Sequence, residues 1–443
     1  MLYRFVRSVV ALALGLFYRL EVVRRTRDLS GPVLFVGNHP NSLVDPALVF
    51  VVTDRQVTFL AKEPLFRVPL FGWLLKGLGA LPVFRKQDHP GKMEKNDGTL
   101  SAAAGALAEG RAVTIFPEGK SHSEPQLADI KTGCARIALR VAKGGSALRV
   151  VPVGLTYQQK HKFRSRVHIE VGEAILVQAA GSQSPEDEAE WVRQLTAQVS
   201  DELRRVTLNL EEWDDLELVE TADLLFALRN GFREKDPDRL RLMAKGAAVL
   251  RREQPERFDE LKEDLMSFRA RLALVSARPQ DLQLEYRRSA IVAFVARNLA
   301  SLVFGVPLFA LGVALFAAPF LLVRTMGRLL PLPPDRVATL KVLSSLALVP
   351  LWWTALSVAG WALGGTVGLV CALLGALPLA LFTRYFLERW RNVGIDALVF
   401  FRLGNRSALK QQLLFQGERL QEEIQQLADQ LKVKVEAAPT RAP

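Results

Sequence analysis

The stretch from Val342 to Thr383 runs for 42 residues without a charged side chain. A bilayer takes about 20 apolar residues per helical crossing. The run is long enough for two crossings joined by a tight turn, and Gly360 and Gly364-Gly365 near its middle are turn-forming residues. Arg324, Arg328, Arg336 and Lys341 precede it, and Arg384, Arg389 and Arg391 follow it. Cations at both ends put both ends in the cytosol, as a hairpin requires. A second uncharged run, Asn298 to Val323, spans 26 residues and holds Gly305, Pro307 and Pro319. It too is flanked by arginines, Arg297 and Arg324, and it is too short for two full crossings. It reads as a re-entrant or interfacial helix pair broken at the prolines, or as one ordinary crossing.

These runs explain why the mean hydropathy of the 443-residue chain is positive, +0.14, although 23% of its residues are charged. The net charge of +12 suits an anionic surface. With apolar runs present, that surface is a membrane, and no nucleic-acid partner is expected. Cys134 and Cys371 lie far apart, so neither a disulfide framework nor a metal site follows, which fits a reducing, cytosol-facing compartment. At the N-terminus, Arg4 and Arg7 precede the apolar run Val9 to Phe17. The run is too short to span a bilayer, and bulky charged residues follow it instead of a cleavage site. Residues 1–28 are therefore expected as an interfacial membrane helix, arginines toward the headgroups.

From 29 to 180 short apolar runs alternate with helical stretches. Val33 to Val36, Val57 to Ala61, Leu81 to Phe84, Val113 to Phe116, Arg149 to Gly154 and Val167 to Val171 read as strands. Ala102 to Ala108 and Gly133 to Ala142 read as helices. The alternation predicts an α/β domain with a mostly parallel sheet flanked by helices. Polar residues gather after the strands. Gly37-Asn38-His39-Pro40-Asn41-Ser42-Leu43-Val44-Asp45-Pro46 offers a histidine that can take a proton and a carboxylate that can orient it. A helix cap by Asp45 with a surface His39 is the plain alternative. Arg85 and Lys86 end another strand and could grip a phosphate, or simply form a basic loop. In Phe116-Pro117-Glu118-Gly119-Lys120-Ser121-His122-Ser123, Gly119 admits backbone N–H groups to a ligand and Lys120 suits an anion, unless the segment is only a turn. His122 is expected on the surface. Val151-Pro152-Val153-Gly154 reads as an edge strand or a strand end, because of its proline.

The four blocks, in this order, resemble the phospholipid/glycerol acyltransferases. Asn38 to Pro46 looks like the family's first, catalytic block, Gly79 to Arg85 like the second, Phe116 to Gly119 like the third, and Val151 to Gly154 like the fourth. Five residues, Pro40 to Val44, separate His39 from Asp45 where the family usually has four. The longer spacing is similar to that of fungal glycerol-3-phosphate/dihydroxyacetone-phosphate acyltransferases and of bacterial relatives labelled lysophosphatidate acyltransferases. The resemblance implies a glycerol-phosphate-acyltransferase-like fold. It implies His39 as general base, Asp45 as its orienting carboxylate, and Arg85, Lys86, Glu118, Gly119 and Lys120 on the acceptor side. It also implies membrane lipids as partners and no cofactor, with acyl-CoA or acyl carrier protein as the co-substrate donating a fatty acyl chain to glycerol 3-phosphate or 1-acylglycerol 3-phosphate. The catalytic domain would face the cytosol at the inner membrane. An acyltransferase for a different lipid acceptor, or a non-catalytic lipid-binding protein on the same fold, is the alternative.

Beyond 180 the composition turns helical. Residues 181–290 form a helical region, with Ser184 placed to cap Glu186 to Leu210, and with Glu217 to Arg229, Pro237 to Arg252 and Pro255 to Ser276 following. The membrane-embedded part is expected over 291–390. Residues 391–443 hold an amphipathic helix, Ala408 to Leu431, and a disordered tail from Ala437. No internal repeat and no dinucleotide or nucleoside-triphosphate loop is present.

Overall fold

The structure, a computed structural model, describes residues 1–85, 94–179, 184–232, 236–283, 288–404 and 407–437. They fall into two compact units, one built mainly from Met1–Trp213 with Leu332–Val342, the other from Asp214–Pro331 with Leu343–Ala438.

The first unit runs α1 (Leu2–Phe17), β1 (Arg19–Arg24), β2 (Val33–Gly37), α2 (Val44–Val52), β3 (Val57–Lys62), a 3-10 turn (Glu63–Arg67), α3 (Phe71–Gly77), β4 (Leu81–Val83), α4 (Lys95–Ala108), β5 (Ala112–Ile115), α5 (Gly133–Lys143), β6 (Leu148–Tyr157), β7 (Arg166–Val171), β8 (Ile175–Val177) and α6 (Pro185–Val206). The strands form one sheet in the order β1-β7-β6-β2-β5-β3-β4, with β8 also paired to β6. Strands β2 to β6 are mutually parallel, and β7 and β8 run against β6. All of β2 is buried, as a central parallel strand must be when both its faces are covered. Leu34 and Val36 point into a core made with α4, α5 and α6. Alternation leaves Val33 and Phe35 to the other face.

Several expectations need correction. Residues 19–24 are not part of the N-terminal helix: they form edge strand β1, in parallel register with β7 from Arg19↔Arg166 to Arg24↔Val171. The domain does not stop at 180. Helix α6, capped by Ser184 accepting from the Asp187 N–H at 3.2 Å, brings Val192, Leu195, Val199 and Leu203 into the sheet's core. Pro152 lies inside an interior strand rather than at an edge. It sits where β6 changes partner, between the β8 pairing at Leu148–Val150 and the β7 pairing at Val153–Tyr157, so its missing N–H interrupts neither ladder. Gly154 is structural: a side chain there would collide with the Val206 carbonyl at the end of α6.

The second unit contains α7 (Asp215–Asn230), α8 (Pro237–Glu253), α9 (Pro255–Leu274), a 3-10 turn (Pro279–Gln283), α10 (Arg288–Leu329), most of α11 (Pro334–Gly404) and α12 (Ser407–Ala437). Helices α7, α8, α9 and α12 pack on one another around Leu225, Leu265, Phe268 and Leu420. Gly231, at φ 67°, ends α7 in the left-handed conformation that glycine tolerates best. Helix α10 continues unbroken through Pro307 and Pro319, so the expected pair of short helices is a single helix. Helix α11 is interrupted at Gly364 (φ −138°, ψ 17°) and Gly365 (φ 57°, ψ −141°), where the hairpin turn was expected. Across that break the backbones of Gly360 and Gly368 touch, leaving no room for a Cβ on either. Ile291–Leu329 and Pro334–Arg402 are long and apolar enough to cross a membrane, and only 6% of their most apolar windows is buried by protein. So large an exposed apolar surface associates with a membrane.

Replacing Gly154 by alanine is expected to destabilise the protein by about 1–3 kcal/mol through overpacking against Val206. Gly98, in an exposed turn of α4 with open space around it, should accept alanine with a gain of roughly 0.5–1 kcal/mol. Thermal melting of the two purified variants checks both.

Candidate active site

The carboxyl ends of the parallel strands share one edge of the sheet, and the polar blocks leave the strands there. Beyond β2 the absence of a side chain on Gly37 matters. A Cβ would come within 3.0 Å of the Phe116 ring, which instead stacks on the His39 imidazole at 4.5 Å and 24°. Asn38 is tied to β6 twice: its amide donates to the Leu155 carbonyl at 3.0 Å, and the Leu155 N–H donates to its oxygen at 2.8 Å. The chain then turns through Ser42, at φ 47°, into α2.

Asp45 lies in the first turn of α2, where the helix dipole favours a negative charge, and it is fully buried. One oxygen accepts from His39 Nδ1 at 2.8 Å and from the Asn41 N–H at 2.6 Å; the other accepts from the Tyr157 hydroxyl at 2.5 Å. Tyr157 ends β6. Burial, then the neighbouring Asp45 charge, raise its pKa well above the ordinary phenol value, so it stays a donor. With the Nδ1 proton committed to Asp45, His39 Nε2 is left as the basic nitrogen. The His39 side chain retains 19% exposure, so the ring is not sealed off. Histidine and carboxylate come together as expected, and the surface-histidine alternative does not hold.

Glu118 departs from expectation. It is buried, and its carboxylate accepts from the His39 N–H at 2.6 Å, from the Ala128 N–H at 3.0 Å and from the His122 ring. The turn after β5 packs against the His39 loop, and Glu118 helps to hold that loop in place. His122 is not on the surface either. Its Nδ1 accepts from the Glu124 N–H at 3.2 Å, which leaves Nε2 as the donor to Glu118. Gly119 has φ +71°, and the Lys131 side chain lies over it where a Cβ would be. Lys120 is exposed. Arg85 follows β4 at the same sheet edge, three strands and about 14 Å from β2. Lys86 lies outside the described residues.

Contacts from distant parts of the chain complete the site. Tyr18, just before β1, accepts from the Asn41 amide at 3.2 Å and donates to the Lys160 carbonyl at 2.5 Å. Ser121 accepts from the Ser42 N–H at 3.1 Å and donates to Asp335 at 2.6 Å, so the first turn of α11 braces the His39–Asp45 loop. The Lys160 amine lies 3.2 Å from the Ser123 hydroxyl and over the Trp213 ring. Burial lowers its pKa, and the charges of Asp45, Asp335, Glu118 and Glu124 draw it part of the way back. Tyr157, Lys131, Lys160 and Asp335 were not legible as site residues, because their spacing along the chain carries no motif. Among the described residues no group of three or more metal-ligating side chains is gathered.

Since Glu118 is buried with three donors, Glu118→Gln presents an amide N–H₂ to a donor and should cost about 2–4 kcal/mol of stability. Lys120→Gln, on the surface, should change stability by less than about 0.5 kcal/mol. Denaturant melts of the two variants separate a buried scaffold role from a substrate-facing one.

Residues 17–156 match the family described as Acyltransferase. Glycerol-3-phosphate O-acyltransferase 2 of Saccharomyces cerevisiae is 35% identical over 134 residues, 30% of this chain and 18% of the yeast protein. A 1-acyl-sn-glycerol-3-phosphate acyltransferase of Streptococcus pneumoniae is 27% identical over 173 residues, 38% of this chain and 58% of that protein. A lyso-ornithine lipid O-acyltransferase of Rhizobium meliloti is 32% identical over 156 residues, 34% of this chain and 49% of that protein. The chain thus spans less than two thirds of each of these relatives.

Proposed function

We propose, from the premise that residues 17–156 belong to the phospholipid/glycerol acyltransferase family, that this protein moves a fatty acyl chain from a thioester donor to the hydroxyl of a glycerol-phosphate lipid precursor. The observation that carries the proposal is the His39 Nδ1–Asp45 bond of 2.8 Å at the sheet edge, which leaves Nε2 as the other ring nitrogen of a side chain that keeps 19% exposure. His39 Nε2 removes the proton from the acceptor hydroxyl as its oxygen attacks the thioester carbonyl. Asp45 holds the ring in the productive tautomer and stabilises the imidazolium. The tetrahedral adduct collapses with cleavage of the carbon–sulfur bond, and the departing thiolate takes the proton from His39. Attack on the thioester is direct, so no acyl-enzyme forms.

The acceptor is glycerol 3-phosphate or 1-acylglycerol 3-phosphate, and the donor is acyl-CoA or acyl carrier protein. Arg85, Lys120 and Lys131 sit at or near the edge that carries His39 and supply positive charge for a phosphate. Helices α10 and α11 keep the protein at the membrane, which we read as the inner membrane with the first unit on the cytosolic side. The relative acting on a lyso-ornithine lipid motivates a second reading, in which the acceptor lacks a phosphate.

His39→Ala should lower kcat by at least about 10³-fold without loss of fold, and Asp45→Asn by a similar factor. Tyr157→Phe, which takes one of three donors from Asp45, should lower kcat by roughly tenfold. Arg85→Ala should raise KM for a phosphorylated acceptor by about tenfold or more with little change in kcat. Labelled acyl-CoA assays that pit glycerol 3-phosphate against lysophosphatidate and against a lyso-amino-acid lipid identify the acceptor; full turnover by His39→Ala would overturn the mechanism.

A further inference from the structure

Between β3 and β4 the chain makes a turn whose backbone is strained and whose side chains face outward. The Phe71 N–H donates to the Pro69 carbonyl at 2.6 Å, closing a three-residue γ-turn around Leu70. Leu70 has φ 63° and ψ −51°, the rare form of that turn, which a branched side chain resists. Glycine would adopt it without strain, yet the residue there is a leucine, 80% exposed. Val68 and Trp73 beside it are also exposed, Trp73 by 64%. The loop is firmly held: the Gly72 N–H donates to the Val68 carbonyl at 2.7 Å, and Gly72 packs so tightly on the Phe66 backbone that no Cβ would fit. Strain maintained by a rigid frame, with an apolar side chain at its tip, marks a functional surface.

Placement and charge indicate what it meets. The turn follows the carboxyl end of β3, so it stands at the sheet edge that carries His39. Leu2, at the start of α1, lies against Gly77 at the end of α3, within 2.8 Å of where a Cβ would be. Helix α1 presents Phe5 and Leu12 outward, and Arg4 on that helix and Lys76 next to Gly77 are exposed. Apolar tips rimmed by cations complement an anionic bilayer, with acyl chains for the leucine and headgroups for the amines.

We propose that Val68–Trp73 is a wedge that inserts into the interfacial region of an anionic phospholipid bilayer, a second lipid-contact point beside α1 and separate from the long apolar helices. It holds whether or not the acyl-transfer reading is correct, and its test needs no turnover. In the full chain with Cys371→Ser, Cys134 remains, but it is buried and burial pushes its thiol up to about 11, so it resists labelling. Leu70→Cys and, separately, Leu176→Cys are labelled with an environment-sensitive fluorophore and reconstituted into phosphatidylglycerol–phosphatidylethanolamine vesicles. Leu176 is 64% exposed but lies on β8, paired with the opposite end of β6. The label at 70 should be quenched by lipids brominated in their acyl chains and shielded from aqueous iodide; the label at 176 should show the reverse. Equal access of iodide to both positions overturns the proposal. In detergent, Leu70→Gly should raise the melting temperature by roughly 1–4 °C as the strain is relieved. A lower melting temperature would make Leu70 a folding residue and sink the wedge.

Discussion

A buried carboxylate has to be hydrogen-bonded or it is too costly to keep charged. Asp45 meets this condition with an imidazole and a backbone N–H from its own loop and a phenol from the end of β6. The orientation of His39 follows from what Asp45 requires. The same condition ties the end of β6, through Tyr157, to the start of α2, so the histidine ring is held by two elements of secondary structure. An acid anchored this way cannot drift, and neither can the ring it holds.

Glu118 repeats the device on the other side of the same loop, binding the His39 backbone where Asp45 binds its ring. Two buried acids thus clamp one histidine. The parallel strands aim their successors at a common edge, which is why blocks far apart in the chain converge there. Cations follow the same geometry: Lys62 ends β3, Arg85 follows β4, and Lys131 lies on the turn after β5. The edge that carries His39 is therefore electropositive.

Much of this was legible in the sequence. Val33 to Val36 could hardly be anything but a buried strand, and the four polar blocks disclosed both the family and the His39–Asp45 pair. Strand β1 was hidden because Arg19-Leu20-Glu21-Val22-Val23-Arg24 carries charge at both ends and in its middle, as a solvent-flanked edge strand does. Pro152 misled because its tolerance depends on a change of strand partner that only the fold reveals. Helix α6 showed itself as a helix, but its contact with Gly154 did not, since close backbone approach leaves no mark on periodicity. Glu118 was placed on the acceptor side by its block, and its part in holding the His39 loop shows only in its three donors.

The glycine contact at the bend of α11 has a topological consequence. Residues 288–404 comprise three apolar arms: α10, and α11 before and after Gly365. The chain leaves a helical bundle at α9 and returns to it at α12, where Arg419 pairs with Asp264 and Asn230 donates to Gln425 at 3.1 Å. Start and finish therefore share one face of any bilayer, and the passages between them must be even in number. Three arms cannot all traverse. If the two halves of α11, in contact at Gly360 and Gly368, form one such pair of passages, α10 stays on the face from which the chain set out.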